Sequence, residues 1–538
     1  HFPPANTYTG DASPEQLRRH LTDNKDAGRC DRGLYLFGFG DGGGGPTREQ
    51  IEFLRRAEWM PGMPRIHRTS ALEFFQQAAA NSRDLPVWVG ELYFELHRGT
   101  YTTQAFTKRM NRLCEFLLRD AEALCCLSHG FPQDYPQAEL EKLWKTVLLN
   151  QFHDILPGSS IKEVYDESAR QYAEVRGRVQ SLIEERIRQV ASNLECDVAH
   201  PVAIFHFAEV QSEGSIPWKG RWAPKSLVCG GEVVPVQVAD DFGERRLVFQ
   251  VPQAALGAVA TASLESRPAP SLPRLQAKPR RLESAECAVL FDRHGNIRSI
   301  RSVEDGTEYV AEGELANVFQ LFRDQPLFWD AWDVDAFAFE QCEPLLRSER
   351  FEVVEEGPVR CAVMVERQFG KSRILQRISL GPTPGIRFDT LVDWYEDERM
   401  LKVAFPVNVR SSTARYEIQF GNIERPTHRN TSWDVARFEV CAQKWVDVSE
   451  GDIGVALLND AKYGHDVLGN VLRLTLLRSP MAPDPTSDRG RHRFTYVLLP
   501  HFGPYNWAGV VQAAYALNAP VHAVLIEPHE GSGHRDPL

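Results

Sequence analysis

Several features that identify common protein classes are missing from this chain of 538 residues. The ten cysteines form no Cys-x-x-Cys pair, which excludes a zinc knuckle and a dithiol redox motif. No apolar run has the length of a membrane span, and no signal peptide is visible. Basic residues are outnumbered by acidic ones, 61 against 73, so the formal net charge is −12. We therefore expect neither a nucleic-acid nor a membrane partner.

What is present is the composition of a folded, multidomain protein. Hydrophobic residues make up 43% of the chain and charged residues 25%, close to average globular usage. Scattered cysteines in a long chain are most simply explained as reduced, mostly buried thiols, which predicts a cytoplasmic protein.

The first hundred residues predict a parallel sheet covered by helices. Apolar runs at 34–37 and 87–89 read as buried strands, and residues 70–81 have helical spacing. Thr47-x-x-Gln50 is a capping box that opens a further helix. Strand–helix–strand alternation is typical of α/β folds.

The rest of the chain predicts a helical region followed by strands. Residues 386–394 alternate apolar and polar side chains, as in a strand with one buried face, and the Pro-rich stretch 267–273 is the best linker. We predict four domains, which are an α/β domain at 1–102, a bundle of about three helices at 103–198, a small β domain at 199–266, and a large antiparallel β-sandwich at 274–538.

Three segments could carry chemistry. In the first, a glycine-rich loop at 38–45 joins a strand to a helix and contains one ionisable residue, Asp41. It lacks the Gly-Lys-Ser/Thr of a phosphate loop, and the structural alternative makes Asp41 a turn residue. As a proton donor, Asp41 would need burial or a carboxylate from outside the loop to raise its pKa.

The second segment, 150–160, places His153 and Asp154 between two helices, where an imidazole could bind a metal. The alternative is a histidine that bonds helix-end carbonyl groups. The third segment, 90–103, has a polar inventory that could hold a polyhydroxylated ligand or could be a surface loop; it comprises Glu91, Glu95, Arg98 and Tyr101.

Long strings of the chain resemble glycoside hydrolase family 38 α-mannosidases, especially the cytosolic/vacuolar branch. They include LYLFGFGDGGGGPT (34–47), VGELYFELHRGTYTTQ (89–104), LWKTVLLNQFHDILPGSSI (143–161) and LLRSP (476–480). The resemblance implies part of an α/β barrel, then a three-helix bundle and β domains. It also implies retaining hydrolysis of terminal α-mannosides in oligosaccharides, assisted by zinc.

Carried over by motif, this resemblance assigns His153 to zinc binding and Asp41 to the acid/base. Asp154 and Tyr101 match positions near the sugar subsite, whereas Arg98, Glu91 and Glu95 are assigned by location only.

One departure from the family pattern is that its upstream His-x-Asp pair and its nucleophilic Asp are missing. We therefore expect a chain that lacks the N-terminal part of the catalytic domain. Two alternatives stay open, a non-catalytic mannoside-binding protein and a structural β-sandwich scaffold. A homo-oligomer is retained as a hypothesis.

Overall fold

The computed structural model describes residues 7–128, 130–194, 196–208, 210–269 and 275–529. The chain divides into a first unit, His1–Leu92, and a second unit, Tyr93–Leu538. Part of the predicted linker at 267–273 lies outside the described residues. The four predicted domain boundaries stay predictions.

Three helices form the first unit: α1 (Pro14–Thr22), α2 (Arg48–Ala57) and α3 (Ala71–Asn81). The predicted capping box is confirmed, because Thr47 Oγ1 accepts the Gln50 amide while the Gln50 side chain accepts the Thr47 amide. The helix predicted at 70–81 is confirmed as α3. A small apolar core forms from Ala12, Leu17, Leu54 and Ala57.

The strands predicted at 34–37 and 87–89 are wrong. Within residues 7–92 the one β-bridge is the parallel bridge between Gly10 and Phe37. Val87 and Val89 are 87% and 90% exposed. A parallel strand is stable when neighbouring strands and covering helices bury it. The described part of this unit supplies no such ladder, so these apolar runs stay irregular.

The second unit begins with three long helices, as predicted: α4 (Ala105–Leu127), α5 (Gln137–Asn150) and α6 (Lys162–Ala191). Leu140, Leu143 and Val147 of α5 are buried, which matches their helical spacing. They pack with apolar residues of α4 and α6 into one core.

The strands follow in chain order. Strands β1 to β6 are Pro201–His206, Glu213–Pro217, Ser226–Cys229, Glu232–Asp241, Glu244–Gln250 and Val259–Glu265. Strands β7 to β16 are Gln276–Lys278, Arg281–Glu283, Cys287–Phe291, Ile297–Ser302, Val318–Arg323, Cys342–Pro344, Arg350–Glu356, Cys361–Phe369, Ser372–Leu380 and Ile386–Trp394. Strands β17 to β26 are Arg399–Pro406, Thr413–Ile418, Gly421–Pro426, Val440–Cys441, Trp445–Glu450, Ile453–Asn459, Gly464–Leu468, Val471–Arg478, Gly490–Phe502 and Val521–Leu525. Two short helices, α7 (Ser432–Ala436) and α8 (Val510–Asn518), lie among them.

The first β region is a seven-stranded sheet in the order β2-β5-β4-β3-β6-β1-β26. Its edge strands β2 and β26 lie against each other, so the sheet nearly closes into a barrel. Strand β26 comes from the far end of the chain and pairs antiparallel with β1. The sequence had placed it in the sandwich, because pairing across this separation leaves no local signal.

The large β region confirms the predicted antiparallel sandwich. It contains a nine-stranded sheet and a six-stranded sheet, with a smaller sheet formed by β7 to β10. The strand predicted at 386–394 is confirmed as β16, in which every second side chain from Ile386 to Trp394 is buried. The apolar members of this set, from Ile386 to Trp394, join the main apolar core together with Phe405 and Tyr496.

All ten cysteines are free thiols, and six of them are buried, as the sequence predicts. Across the described ranges, no helix combines the length and the apolar character that crossing a bilayer requires. The mixture of helices with several antiparallel sheets is the fold class expected from the sequence.

Candidate active site

Asp41 lies at the tip of the glycine-rich loop in the first unit. The loop turns back at Gly40–Gly43, where the Gly43 amide donates to the Gly40 carbonyl at 3.1 Å. Gly43 has φ +69°, a left-handed conformation that favours glycine. The Asp41 carboxylate is exposed and accepts a 2.9 Å hydrogen bond from the Tyr8 hydroxyl. This bond, together with the charge of Asp41, raises the pKa of Tyr8.

His153 and Asp154 lie in the second unit, in the turn-rich segment between α5 and α6. The His153 side chain is 74% exposed, and its Nε2 lies 3.3 Å from Asp154 Oδ2. Asp154 Oδ1 accepts a hydrogen bond from Ser159 at 3.2 Å. The pair is therefore open to a ligand on one side and held by its own loop on the other. The alternative prediction was that His153 bonds carbonyl groups at a helix end. Among the described residues, no such hydrogen bond of His153 is seen.

Ser160 does not form the capping box that its spacing suggests. Helix α6 starts at Lys162, and no side chain caps its first turn. The Ser160 hydroxyl instead donates to the Asp154 carbonyl at 2.7 Å, and the Tyr165 hydroxyl donates to the same carbonyl at 3.2 Å. The Ser160 hydroxyl therefore bonds within the loop and does not cap helix α6. The two hydrogen bonds to its carbonyl fix the backbone of Asp154.

Lys108 of α4 ties this loop to the helical bundle. Its ammonium donates to the carbonyl oxygens of Thr103 at 2.5 Å, Leu156 at 2.7 Å and Pro157 at 3.2 Å. Burial lowers the pKa of Lys108 to about 7. Gly158 completes the attachment, because a Cβ there would lie 2.6 Å from the Thr103 carbonyl oxygen.

Arg98, which was assigned to ligand binding, is buried and serves the fold instead. Its guanidinium lies 3.5 Å from Asp333 Oδ1 and donates to the Ala436 carbonyl at 3.0 Å. It also stacks over the Phe438 ring, 4.3 Å from the centroid. Only 7% of the residue is exposed, so this structure leaves it no face for a sugar. The partners come from more than 200 residues away in the chain.

For the two glutamates of the same segment, Glu91 and Glu95, the structure shows hydrogen bonds to their backbone carbonyl groups. The Glu95 carbonyl accepts from Arg98, and the Glu91 carbonyl accepts from the Trp88 indole at 3.0 Å. Glu91 belongs to the first unit, whereas Glu95 belongs to the second. Their assignment as ligand contacts stays a prediction.

Tyr101 lines a cavity of about 360 Å³ in the second unit, between α4, the loop that carries His153 and the β-sandwich. Burial raises the pKa of Tyr101 above its ordinary value, so the phenol stays protonated and can donate. The same cavity is lined by Gln151, Leu156 and Pro157, which form the inner side of the His153 loop. The structure thus brings Tyr101 close to that loop's interior.

A complete metal site is not formed by the residues that the structure describes. Among them there is no group of three or more His, Cys, Asp or Glu side chains that could hold an ion. His153 provides one exposed imidazole, and its nearest acidic neighbour is Asp154. This donor set alone does not fit the four ligands typical of zinc.

Sequence reasoning missed two residues that build this region, Lys108 and Gln151. Gln151 donates to Asn111 at 3.0 Å and to Glu115 at 2.8 Å, which joins the His153 loop to α4. A signal was available for Lys108, since a lysine among the buried positions of a helix must find acceptors.

Three protein-family models match successive parts of the chain, and all describe one class of glycosidase. Those described as the glycosyl hydrolases family 38 N-terminal domain, the alpha mannosidase middle domain and the family 38 C-terminal domain match residues 1–91, 95–190 and 282–486. The chain belongs to glycosyl hydrolase family 38. With all three domains represented, these matches do not support the expectation that part of the catalytic domain is lacking.

Individual relatives agree with the family. The chain is 39% identical to alpha-mannosidase 2C1 of Homo sapiens and 34% identical to an alpha-mannosidase of Saccharomyces cerevisiae, over 97% and 96% of its own length. It covers 49% and 46% of those proteins, so it spans about half the length of the curated relatives it matches. The structure of an alpha-mannosidase from Enterococcus faecalis V583 has the same fold, with a TM-score of 0.77 at 17% identity, over 98% of this chain and 69% of the other.

Proposed function

We propose that the protein hydrolyses terminal, non-reducing α-D-mannose residues of mannosides and free oligosaccharides with retention of configuration. The observation that carries this proposal is the similarity to alpha-mannosidases, 34–40% identity over nearly the whole chain. The non-catalytic mannoside-binding alternative has no comparable support.

Asp41 is the proposed acid/base. Retaining cleavage uses two carboxyl groups about 5 Å apart, one to attack the anomeric carbon and one to protonate the leaving oxygen. Asp41 is exposed in a loop whose glycines allow a ligand to approach the backbone. The Tyr8 hydroxyl donates to it and orients its carboxylate. Asp154 and Tyr101 are proposed to bind sugar hydroxyl groups.

Zinc is the proposed metal, with His153 as one ligand. An exposed imidazole beside a carboxylate suits this role, since a neighbouring acid can orient a ligand. When bound, zinc would supply a template for sugar hydroxyl groups and a Lewis acid. Zinc content measured by mass spectrometry should fall in His153→Ala and be retained in His67→Ala, an exposed histidine of the first unit. Equal zinc content in both variants would remove His153 from the ligand set.

The activity is tested with an aryl α-mannoside and the 538-residue chain. We expect release of the phenol, with the α-anomer of mannose appearing first in the NMR spectrum. Asp41→Asn should lower kcat by a factor on the order of 100 to 10,000, the usual contribution of a general acid. The matched control is Asp31→Asn, because Asp31 is also an exposed aspartate of the first unit. Absence of turnover by the unaltered chain would refute the proposal for this polypeptide.

A cytoplasmic location and a homo-oligomeric state accompany this proposal. Cell fractionation with an antibody to the chain tests the first, and light scattering coupled to gel filtration tests the second. A mass equal to one chain, 60.9 kDa, would exclude the oligomer.

A further inference from the structure

Two cavities of the second unit adjoin each other and share the side chains of Gln419 and Gln443. The first is the cavity of about 360 Å³ that Tyr101 lines, and the second has a volume of about 450 Å³. Binding sites for small ligands commonly have volumes of about 300 to 1,000 Å³. We call the two cavities and the residues they share the Gln419–Gln443 groove.

Some neutral side chains in the wall of the first cavity have oxygen atoms that already accept hydrogen bonds but donor groups that bond no other described residue. Asn111 Oδ1 accepts from Gln151, and Gln443 Oε1 accepts from Arg112 at 3.2 Å. Within the described part of the chain, the Tyr101 hydroxyl, the Asn111 side-chain nitrogen Nδ2 and the Gln443 side-chain nitrogen Nε2 have no hydrogen-bond partner. Several neutral donors on one wall suit a ligand that carries many hydroxyl groups.

The charged side chains along the groove already make ion pairs or hydrogen bonds within the protein. Glu417 and Lys444 form an ion pair of 2.6 Å at the second cavity. At the first, the Lys108 ammonium is occupied by three carbonyl groups, and Glu115 accepts from Gln151. Burial also raises the pKa of Glu115, which favours its neutral form. These charged side chains are already engaged within the protein, so we expect the groove to favour a neutral ligand.

Aromatic rings border the second cavity. Tyr505 stacks on Trp445 with centroids 5.2 Å apart, which fixes its orientation. The Phe420 side chain is fully exposed at a hairpin turn with φ +61°. An exposed apolar ring adds little to the stability of the fold, but it can cover the C–H face of a sugar ring.

We propose that the Gln419–Gln443 groove binds a neutral oligosaccharide, with one pyranose in each cavity. The groove lies within the second unit, between its helical and β regions, and it extends from Tyr101, which is proposed above to bind sugar hydroxyl groups. The choice of mannose as the sugar rests on the proposed function, whereas the preference for a neutral glycan rests on the groove itself.

The test is saturation-transfer NMR on the full chain with two probes, methyl α-mannoside and a sulfur-linked α-mannobioside that resists hydrolysis. The mannobioside should bind at least about threefold more tightly, because it fills both cavities. Tyr101→Phe removes one hydroxyl group and should weaken both probes about fivefold. Phe420→Ala should weaken the mannobioside while leaving methyl α-mannoside unchanged.

Matched controls are Tyr395→Phe and Phe328→Ala, which alter an exposed tyrosine and an exposed phenylalanine outside the groove. Thermal unfolding of each variant verifies that it is folded. Absence of saturable binding, or equal effects of the groove variants and their controls, would overturn the groove. Hydrolysis is measured separately: loss of turnover with binding retained contradicts the proposed enzyme and leaves the groove intact.

Discussion

The guanidinium of Arg478 donates to the carboxylate of Asp324 at 2.8 Å, and both side chains are completely buried. Arg478 also donates to Thr103 Oγ1 at 3.0 Å and to the Asp333 carbonyl at 2.9 Å. It thereby joins the sandwich to the segment that leads into α4. Gly99 is needed beside it, because a Cβ there would lie 2.2 Å from the guanidinium. The arginine of the LLRSP string is thus a structural residue.

Arg478→Met should destabilise the protein strongly. The substitution leaves the Asp324 carboxylate buried without its cation, which costs about 3 to 5 kcal/mol in comparable cases. The control is Arg491→Met, whose side chain is exposed, so its ion pair with Asp393 contributes little to stability. Urea denaturation followed by tryptophan fluorescence measures both. Similar denaturation midpoints for the two variants would contradict the role of Arg478.

Gly158→Ala should displace the loop that carries His153. Gly158 has φ +98°, and an added Cβ would collide with the backbone of Thr103. We expect a loss of about 1 to 3 kcal/mol in unfolding free energy and a lower kcat. Gly177→Ala is the opposite case, because Gly177 lies within α6 and has open space around it. That substitution should stabilise the protein by about 1 kcal/mol. A Gly158→Ala variant as stable as Gly177→Ala would refute the collision.

Lys108→Met should loosen the same loop without altering its sequence. The carbonyls of Thr103, Leu156 and Pro157 lose their common donor. Hydrogen–deuterium exchange should therefore become faster at residues 151–161. Lys145→Met provides the control, since Lys145 is exposed on α5 and pairs with Glu141 of the same helix. Unchanged exchange in Lys108→Met would show that the lysine does not hold the loop.

Acid should weaken the contact between the seven-stranded sheet and the sandwich. Asp389 bonds Arg377 at 2.8 Å, and Arg377 also bonds Asp241 of β4 at 3.1 Å. Burial opposes ionisation of Asp389, but Arg387 and Arg377 hold its pKa well below the ordinary value. A lowered folded pKa means that this stabilisation is present above the unfolded value of about 4 and is lost as pH falls below it.

The melting temperature should accordingly drop between about pH 5 and about pH 2. Asp389→Asn should melt lower at neutral pH and show a smaller change over this acid range. The exposed Asp31→Asn should keep the original pH dependence. An identical acid slope in Asp389→Asn and the unaltered chain would assign the effect to other carboxylates.

Local patterns account for the parts of the fold that were predicted correctly. The capping box at Thr47 and the alternation along 386–394 depend on residues a few positions apart, so they can be read directly. Ser160 has the same local pattern as Thr47, yet its hydroxyl bonds Asp154 instead. A short motif fixes a structure only when no other contact competes for the same group.

The candidate site was predictable only in part. The sequence placed His153 beside Asp154 and led to Tyr101, and the structure shows the pair in contact and Tyr101 in a cavity behind their loop. It did not show that Arg98 is buried against Asp333, or that Lys108 anchors the loop. These contacts join residues that are far apart in the chain, and a single sequence carries no record of them.

The sequence by itself therefore determined helices α2 and α3, the three-helix region, the strand at 386–394, the family and the three candidate segments, since each depends on periodicity or on a contiguous string. Only the tertiary structure decided which polar side chains are free to bind a ligand and which are buried and bonded to other parts of the protein. The physical reason is burial. A charged group removed from water must find partners wherever the chain brings them, and for Arg98 and Arg478 those partners come from distant loops and strands.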